Sequence, residues 1–208
     1  MRKPRWTKIT LAVIAVVLVL FSIVGIYWSR TPDVFWVNRS VDGDRIVVGY
    51  STTDTLVRVA DTLLEKPGGY LSNDKTPPSV FLDNIPNWEF GVLQQVRDLA
   101  RVIRNDYSRS QSQSKEDPDV TIAEPLFFFD NDSWMLPRTE SEYRNAISAM
   151  EKYRDRLIGI EQPEAQFFAR ADNLREWLSQ VEKRLGSITR RLGDSVATTR
   201  INEGLAGD

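Results

Sequence analysis

Cysteine and histidine are both absent from this chain of 208 residues. Without cysteine the chain has no disulfide framework and no thiolate for catalysis or metal binding. Without histidine it lacks the usual general base and the commonest zinc ligand. We therefore expect no histidine-based catalytic triad, no metal site and no bound cofactor, and the sequence indicates no catalytic residue.

Motifs that bind phosphate or calcium are missing as well. The glycine pair at 68–69 follows a helical pattern rather than a strand, so it does not predict a phosphate-binding loop. The run DND at 130–132 resembles the start of a calcium loop, whose sixth and twelfth positions should be Gly and Glu. Those positions are Met135 and Ser141 here. An Asx-rich turn is the better interpretation.

Acidic residues outnumber basic ones in the whole chain, and the excess is larger once the N-terminus is set aside. The formal net charge is −2, and Arg2, Lys3, Arg5 and Lys8 contribute +4, which leaves −6 for residues 9–208. A net negative charge disfavours binding to nucleic acid and broad binding to anionic lipid. We expect no nucleic-acid partner.

One long uncharged run is present, ITLAVIAVVLVLFSIVGIYW at residues 9–28. About 20 apolar residues cross the ~30 Å hydrocarbon core of a bilayer. The alternatives are a buried core helix and a cleaved signal peptide, but Tyr27 and Trp28 form a poor cleavage site and a good interfacial anchor. Basic residues without acids precede the run, which predicts a cytoplasmic N-terminus. We expect a single-pass membrane protein whose C-terminal domain lies on the outer side, which in a Gram-negative cell is the periplasm.

Four amphipathic helical patterns follow this run. Asn87 is the expected N-cap of the second pattern, Thr139 with Glu142 predicts a capping box for the third, and Pro163 opens the fourth. The chain is therefore expected to be mainly α, with one transmembrane helix followed by an antiparallel helical bundle with long irregular loops. The patterns cover residues 52–66, 87–107, 139–158 and 163–193.

The fourth pattern has the most regular apolar stripe, which fits either a coiled-coil homodimer or one wall of an intramolecular bundle. In a parallel homodimer, Arg170 of one copy would face Arg175 of the other, and the two charges would repel. The connection to the third pattern is short, so an antiparallel hairpin of 139–158 with 163–193 is favoured. A homo-oligomer is an alternative that we do not favour.

The remaining segments are irregular by sequence. SRSQSQSKEDPD at 108–119 predicts an exposed loop. PLFFFDNDSWML at 125–136 is too short to span a membrane and is expected to lie across the bundle, with a dip into the membrane surface as the alternative. Asp42-Gly43 favours a small hairpin near the membrane. The expected order is a cytoplasmic tail at 1–8, the anchor at 9–28, a juxtamembrane segment at 29–50, a periplasmic helical domain at 51–193 and a flexible tail at 194–208.

The candidate binding site is the long connection KPGGYLSNDKTPPSVFLDNIPNWEFG at residues 66–91. Loops of this length without structure of their own are often functional, and we select Tyr70, Trp88 and Glu89 as its binding residues. Glu89 lies between two aromatic residues, which can raise the pKa of a carboxyl and suit a general acid in glycan hydrolysis. Alternatively, Glu89 lies near a helix start and interacts with the positive end of the helix dipole.

Three runs resemble a known family: LVRVADTLLEKPGGYLSND, DNIPNWEFGVLQQVRDLARVIRNDYSRSQSQSKEDPD and FFARADNLREWLSQVEKRLG. They are similar to proteobacterial proteins filed as a domain of unknown function, family 2333, over about residues 49–193. The resemblance implies a single-pass inner-membrane protein with a mostly helical outer part, and it supplies no catalytic residue. Family members tend to extend beyond the end of this chain, which predicts a truncated version.

These observations favour a non-enzymatic, membrane-anchored protein of the bacterial cell envelope that interacts with another envelope protein. The alternative is a carboxylate-dependent enzyme that acts on peptidoglycan or another glycan.

Overall fold

The computed structural model describes residues 5–41, 43–109, 115–159 and 165–205. These residues are mainly α-helical, and none of them belongs to a β-strand. The chain divides into two compact units, Met1–Phe168 and Ala169–Asp208. The α-helices are α1 (Arg5–Trp28), α2 (Tyr50–Glu65), α3 (Asn84–Val102), α4 (Pro118–Phe127), α5 (Thr139–Ile158) and α6 (Ala171–Leu205).

Helix α1 is apolar on all its faces. Within Trp6–Trp28, a window of 18 residues has a mean hydropathy of 3.0, and only 6% of that window is buried. A helix of this length and composition can cross a membrane, and a signal sequence has the same properties. It matches the apolar run predicted from the sequence.

The core of the first unit is built from α2, α3, α4 and α5. Helix α5 packs against α4 and α2, and α3 packs against α2 and α4. The apolar faces of these helices are buried, as the spacing of three and four residues predicts. On α5 the buried stripe consists of Tyr143, Ala146, Met150, Tyr153 and Leu157.

Helices α2 and α5 lie where the sequence predicts them, but α3 begins three residues before the expected Asn87. Asn87 is not its N-cap, because it is the fourth residue of the helix, and its side chain donates from Nδ2 to the Asp83 carbonyl at 2.8 Å. Pro86 does not prevent the earlier start. A proline is tolerated in the first helical turn, where backbone N–H groups have no helical acceptor.

The capping box predicted at Thr139 is also wrong. Arg138 occupies the N-cap position of α5 and makes no side-chain cap. Thr139 is fully buried, and its hydroxyl donates to the carbonyls of Asp130 and Ser133 at 2.8 and 3.0 Å. The hydroxyl therefore ties the α4–α5 loop to the helix instead of capping it.

Helix α4 includes the end of one segment that was expected to be irregular, 108–119, and the start of the other, 125–136. Asp117 is its N-cap and accepts hydrogen bonds from the backbone N–H groups of Asp119 and Val120 at 3.0 and 3.3 Å. Pro118 follows at the first helical position, which suits its fixed φ. Part of the predicted 108–119 loop, residues 110–114, lies outside the described residues.

The predicted hairpin in the juxtamembrane segment is reduced to a single bridge. Val41 and Arg45 form one antiparallel bridge, and the runs on either side of it are not strands. Gly43 between them has φ +90°, which glycine adopts without strain.

Helix α6 makes up most of the second unit. Its predicted opening at Pro163 lies outside the described residues, and 165–170 are not helical. The helix continues past residue 193, so residues 194–205 are helical where an unstructured tail was predicted. Extending an existing helix adds one hydrogen bond per residue without a new nucleation step. The antiparallel pairing of 139–158 with this helix stays a prediction.

Candidate functional site

The buried side chain of Glu89 binds several groups of the loop between α2 and α3 and holds that loop in place. The Glu89 carboxylate is fully buried in the second turn of α3. Its Oε1 lies 2.5 Å from Lys66 Nζ and accepts from the Leu71 N–H at 2.8 Å. Its Oε2 accepts from the N–H and the hydroxyl of Ser72 at 2.8 and 2.5 Å. Four donors therefore surround a carboxylate that solvent does not reach.

Lys66 supplies the positive charge of this cluster. Its side chain is fully buried, and its ammonium group also donates to the Gly69 carbonyl. Gly68 and Gly69 adopt positive φ angles of 87° and 71°, which turn the chain back toward Lys66. A buried ion pair is tolerated when further hydrogen bonds satisfy both partners, as they do here.

Tyr70 lies on the inner side of the same loop. Its hydroxyl donates to the Asn131 carbonyl at 3.0 Å, and its ring meets Tyr143 edge-on at 5.7 Å between centroids. Burial raises the pKa of both Tyr70 and Tyr143 above the ordinary phenol value. Both phenols are therefore neutral at physiological pH, and Tyr70 joins the α2–α3 loop to the α4–α5 loop.

Arg97 completes the buried polar network, although its place among the charged residues of α3 is typical of a solvated face. It projects from α3 and is largely buried. Its Nε donates to the Phe127 carbonyl at 2.7 Å, and its Nη2 donates to the Phe129 carbonyl at 2.8 Å. These carbonyls lie at the end of α4, where a cation interacts favourably with the helix dipole.

Trp88 precedes Glu89 in the sequence, but its side chain lies on a different side of α3. It lines a cleft of about 390 Å³ between α2, α3 and the segment that follows α1. Most of the lining side chains are apolar, and Asp33 is the charged residue among them. The lining residues are Pro32, Asp33, Val34, Phe35, Val37, Thr55, Val59, Thr62, Trp88 and Val92. We call this cleft the Trp88 groove.

The segment from Pro32 to Val37 forms the outer wall of the Trp88 groove and is held against α2 by side-chain contacts. Arg58 donates from Nη1 to the Trp36 carbonyl at 2.8 Å, and its guanidinium lies 4.0 Å from the centroid of the Phe35 ring. Asn38 donates from Nδ2 to Asp54 Oδ2 at 3.2 Å, and Asp54 also pairs with Arg154 at 3.1 Å. An irregular segment is thereby fixed as one side of a groove.

The three predicted binding residues do not form one site. The structure brings Tyr70 and Glu89 together in the buried interior of the loop and turns Trp88 toward the groove. The sequence did not indicate that Phe35, Val59 and Val92 line a groove, because apolar residues in such patterns are typical of a protein core. Among the residues that the structure describes, no group of three or more acidic side chains could hold a metal ion.

One of three comparisons with known proteins agrees with the resemblance seen in the sequence and extends it. A search of curated proteins and a search of solved structures each found no match to the chain. The family model described as an uncharacterized protein conserved in bacteria (DUF2333) matches residues 1–208. The match therefore includes the first 48 residues, which the resemblance did not cover. The chain belongs to this bacterial family, domain of unknown function 2333.

Proposed function

We propose that the protein is a single-pass inner-membrane protein whose helical part lies in the periplasm. There it acts without catalysis, as an interaction protein of the cell envelope. Helix α1 is its anchor, and the helices of the first unit form an antiparallel bundle that presents the Trp88 groove. The exposed apolar surface of α1 and the four basic residues at the N-terminus support the anchor and its orientation.

The Trp88 groove is the observation that carries the interaction role. Its outer wall begins at Pro32, four residues after the end of α1. An extended chain of four residues reaches at most about 14 Å, so the groove lies close to the membrane surface. A partner that reaches it from the same membrane would use the segment next to its own transmembrane helix.

Charge and lining define the chemistry of that partner segment. The chain after residue 8 carries a net charge of −6, and Asp33 lines the groove. The floor is apolar, with Trp88 as a large aromatic contact of the kind enriched in interaction hot spots. The occupant is therefore a juxtamembrane segment that combines apolar side chains with Lys or Arg, on a second inner-membrane protein.

The environment of Glu89 favours this role over glycan hydrolysis. A general acid must come within hydrogen-bond reach of the glycosidic oxygen. The Glu89 carboxylate is fully buried and already accepts from Leu71 and Ser72 and pairs with Lys66. In the proposed role, Glu89 and Tyr70 fix the loop from inside and Trp88 makes the contact.

The absence of cysteine makes the topology directly testable. Single-cysteine variants Trp6→Cys, at the N-terminal end of α1, and Ile122→Cys, on an exposed face of α4, are treated in intact cells with a maleimide that cannot cross the inner membrane. The proposal expects labelling of Ile122→Cys only, and labelling of Trp6→Cys after the membrane is opened. The opposite pattern would overturn the orientation, and release of the protein into the soluble fraction would overturn the anchor.

The docking role is tested by photo-crosslinking in cells from both walls of the groove. Photoreactive residues replace Val59 on α2 and Trp88 on α3, and Ile122 on α4 is the control. We expect both groove positions, and not Ile122, to capture the same membrane protein through a Lys- or Arg-containing juxtamembrane segment. Val92→Glu should lower the yield at Trp88, whereas Ile122→Glu should not.

Other products would contradict the proposed occupant. Capture of a second copy of this chain would favour a homo-oligomer, and capture of phospholipid would place the groove against the bilayer. Equal capture at Ile122, or no capture by an abundant folded protein, would exclude the Trp88 groove as a docking site.

A further inference from the structure

A short uncharged part of the α2–α3 loop lies against the end of α1. This segment, TPPSVFL at residues 76–82, contains a turn of 3₁₀-helix at Ser79–Phe81. Ser79 is buried and donates from its hydroxyl to the Thr76 carbonyl at 2.6 Å. The next two side chains project outward, with Val80 54% exposed and Phe81 79% exposed. An ordered turn thus presents two large apolar side chains.

Gly25 gives the position of this turn along α1. Gly25 is buried, whereas most of α1 is exposed. A Cβ atom at Gly25 would lie 3.6 Å from Pro78 Cβ and 4.0 Å from Leu82 Cδ2. Gly25 is three residues before Trp28, so these contacts lie about 4.5 Å below the end of the helix, toward its apolar middle.

Two further contacts hold the loop at this position. The indole of Trp28 packs against Gly68, where a Cβ atom would lie only 2.8 Å from the ring. Asn84, after the turn, donates from Nδ2 to the Ser29 carbonyl at 3.0 Å and to the Ser29 hydroxyl at 2.8 Å. The 76–82 segment is therefore fixed to α1 from both sides.

We infer that the Ser79–Phe81 turn inserts Val80 and Phe81 into the outer leaflet of the membrane, at the boundary between headgroups and acyl chains. This inference rests on the proposal that α1 spans the membrane. Tyr27 and Trp28 mark the interfacial level of the helix, since Tyr and Trp concentrate there. A turn that contacts α1 below that level is surrounded by lipid.

Lipid contact accounts for the composition of the turn. Residues 76–82 carry no charge, so insertion desolvates no ionised group. Burying a Phe or Val side chain contributes favourably by removing apolar surface from water. With α1, the turn supplies a second point of membrane contact, which fixes the orientation of the first unit and holds the Trp88 groove beside the bilayer.

Fluorescence quenching in vesicles tests the inference on the full chain. Val16→Cys, Phe81→Cys and Ile122→Cys are each labelled with an environment-sensitive fluorophore. The proteins are reconstituted into phosphatidylethanolamine–phosphatidylglycerol vesicles that contain a lipid with a nitroxide on its acyl chain. Val16 lies in the middle of α1 and reports the anchor itself.

Ile122 is the matched exposed apolar control. Two residues further along α4, Glu124 pairs with Arg101 and Arg104 at 3.4 and 3.0 Å. Arg101 is about 25 Å along α3 from Asn84, which contacts Ser29 at the end of α1. Ile122 therefore lies beside the end of α3 that is remote from α1.

We expect blue-shifted emission and strong quenching at Val16 and Phe81, and neither effect at Ile122. Quenching at Val16 without quenching at Phe81 would overturn the inference and leave the anchor intact. No quenching at Val16 would instead overturn the anchor. In a second variant, Phe81→Asp combined with a fluorophore at Val80→Cys should lose the quenching that Val80→Cys shows alone, and unchanged quenching would contradict insertion through Phe81.

Discussion

Helices α5 and α6 carry the same kind of apolar stripe, but the two stripes differ in solvent exposure. On α5 the residues from Tyr143 to Leu157 that form the stripe are buried. On α6 the corresponding positions remain open to solvent, with Leu178 52% and Leu185 57% exposed. The spacing of apolar residues predicts that a helix has an apolar face, but it does not tell which surface covers that face.

The contrast extends to polar side chains. The core of the first unit contains an ion pair between Lys66 and Glu89 that is fully removed from water. The pair at the start of α6, Arg170 with Asp172, lies at the surface. Ion pairs in the two units therefore differ in how much they contribute to stability, because burial removes the competing interaction with water.

Breaking the buried ion pair is expected to have the largest effect. Glu89→Gln leaves the Lys66 ammonium group buried without its charge partner, which should lower the free energy of unfolding by about 3–5 kcal/mol. The measurement is urea unfolding of the full chain in mild detergent, followed by circular dichroism. Glu182→Gln on α6 is the control and should change little, because Glu182 is exposed.

A double variant separates the lost charge from lost packing. Lys66→Met in the Glu89→Gln background removes the unpaired ammonium group and should recover part of the lost stability. If Glu89→Gln alone unfolds at the same urea concentration as the parent protein, the pair is not buried in solution.

Truncation of matched apolar residues tests the two stripes directly. Met150→Ala on α5 leaves a cavity in the core and should lower the free energy of unfolding by about 2–5 kcal/mol. Leu185→Ala on α6 removes a half-exposed side chain and should change it by no more than about 0.5 kcal/mol. Both values come from the same urea titration. Equal losses would show that a surface covers the α6 stripe in solution.

Removal of a threonine hydroxyl should lower stability more at a buried position in the first unit than at an exposed position on α6. Thr139→Val takes away the donor to the buried loop carbonyls and should lower the free energy of unfolding by about 1–2 kcal/mol. Thr189→Val on α6 removes a hydroxyl that donates to the Leu185 carbonyl at an exposed site, where water can replace it. It should be nearly neutral. A neutral Thr139→Val would contradict the role of Thr139 as the tie between the loop and α5.

The smallest expected effects are pH-dependent and have opposite signs in the two units. Burial raises the pKa of Asp61 on α2, and the nearby Glu151 and Glu65 carboxylates raise it further. The folded state therefore holds the Asp61 proton more tightly than the unfolded state, and stability falls as pH rises above 3.8. Asp61→Asn should stabilise the protein at neutral pH and have no such effect well below pH 3.8.

Asp172 on α6 should behave in the reverse way. Its hydrogen bond with Arg170 lowers the pKa of the carboxyl below 3.8. The ionised form therefore contributes stability above that pH, and the contribution is lost as the pH falls through the lowered pKa. Asp172→Asn should be slightly destabilising at neutral pH, as judged by hydrogen exchange of the α6 backbone. A stabilising Asp172→Asn would contradict the ion pair.

Much of the helical architecture could be predicted from the sequence because it follows from local patterns. The bounds of α5 match the predicted 139–158, and the glycines after α2 end that helix near the expected residue. Helix α4 was missed because it is short and joins a polar run to an apolar one, so neither half shows a helical period. The hydroxyl of Thr139 was misassigned because a cap and a tertiary hydrogen bond require the same residue type.

The candidate site was less predictable than the fold. Trp88 was predicted to lie in the loop but belongs to α3, and the groove that it lines is assembled from segments between Pro32 and Val92. Lys66 was not expected to be buried, since lysine rarely is unless it is paired. The pairing partner is 23 residues away in the chain, and no local pattern connects the two.

By itself the sequence determined the apolar run that becomes α1, the mainly helical class and the positions of most helices. These properties depend on the spacing and the polarity of neighbouring residues, which any segment carries with it. The tertiary structure alone decided that Glu89 is enclosed while Trp88 lines a groove, and that Pro78 and Leu82 lie against α1. Such outcomes depend on which distant segments meet, because burial and pairing are properties of the assembled surfaces and not of single residues.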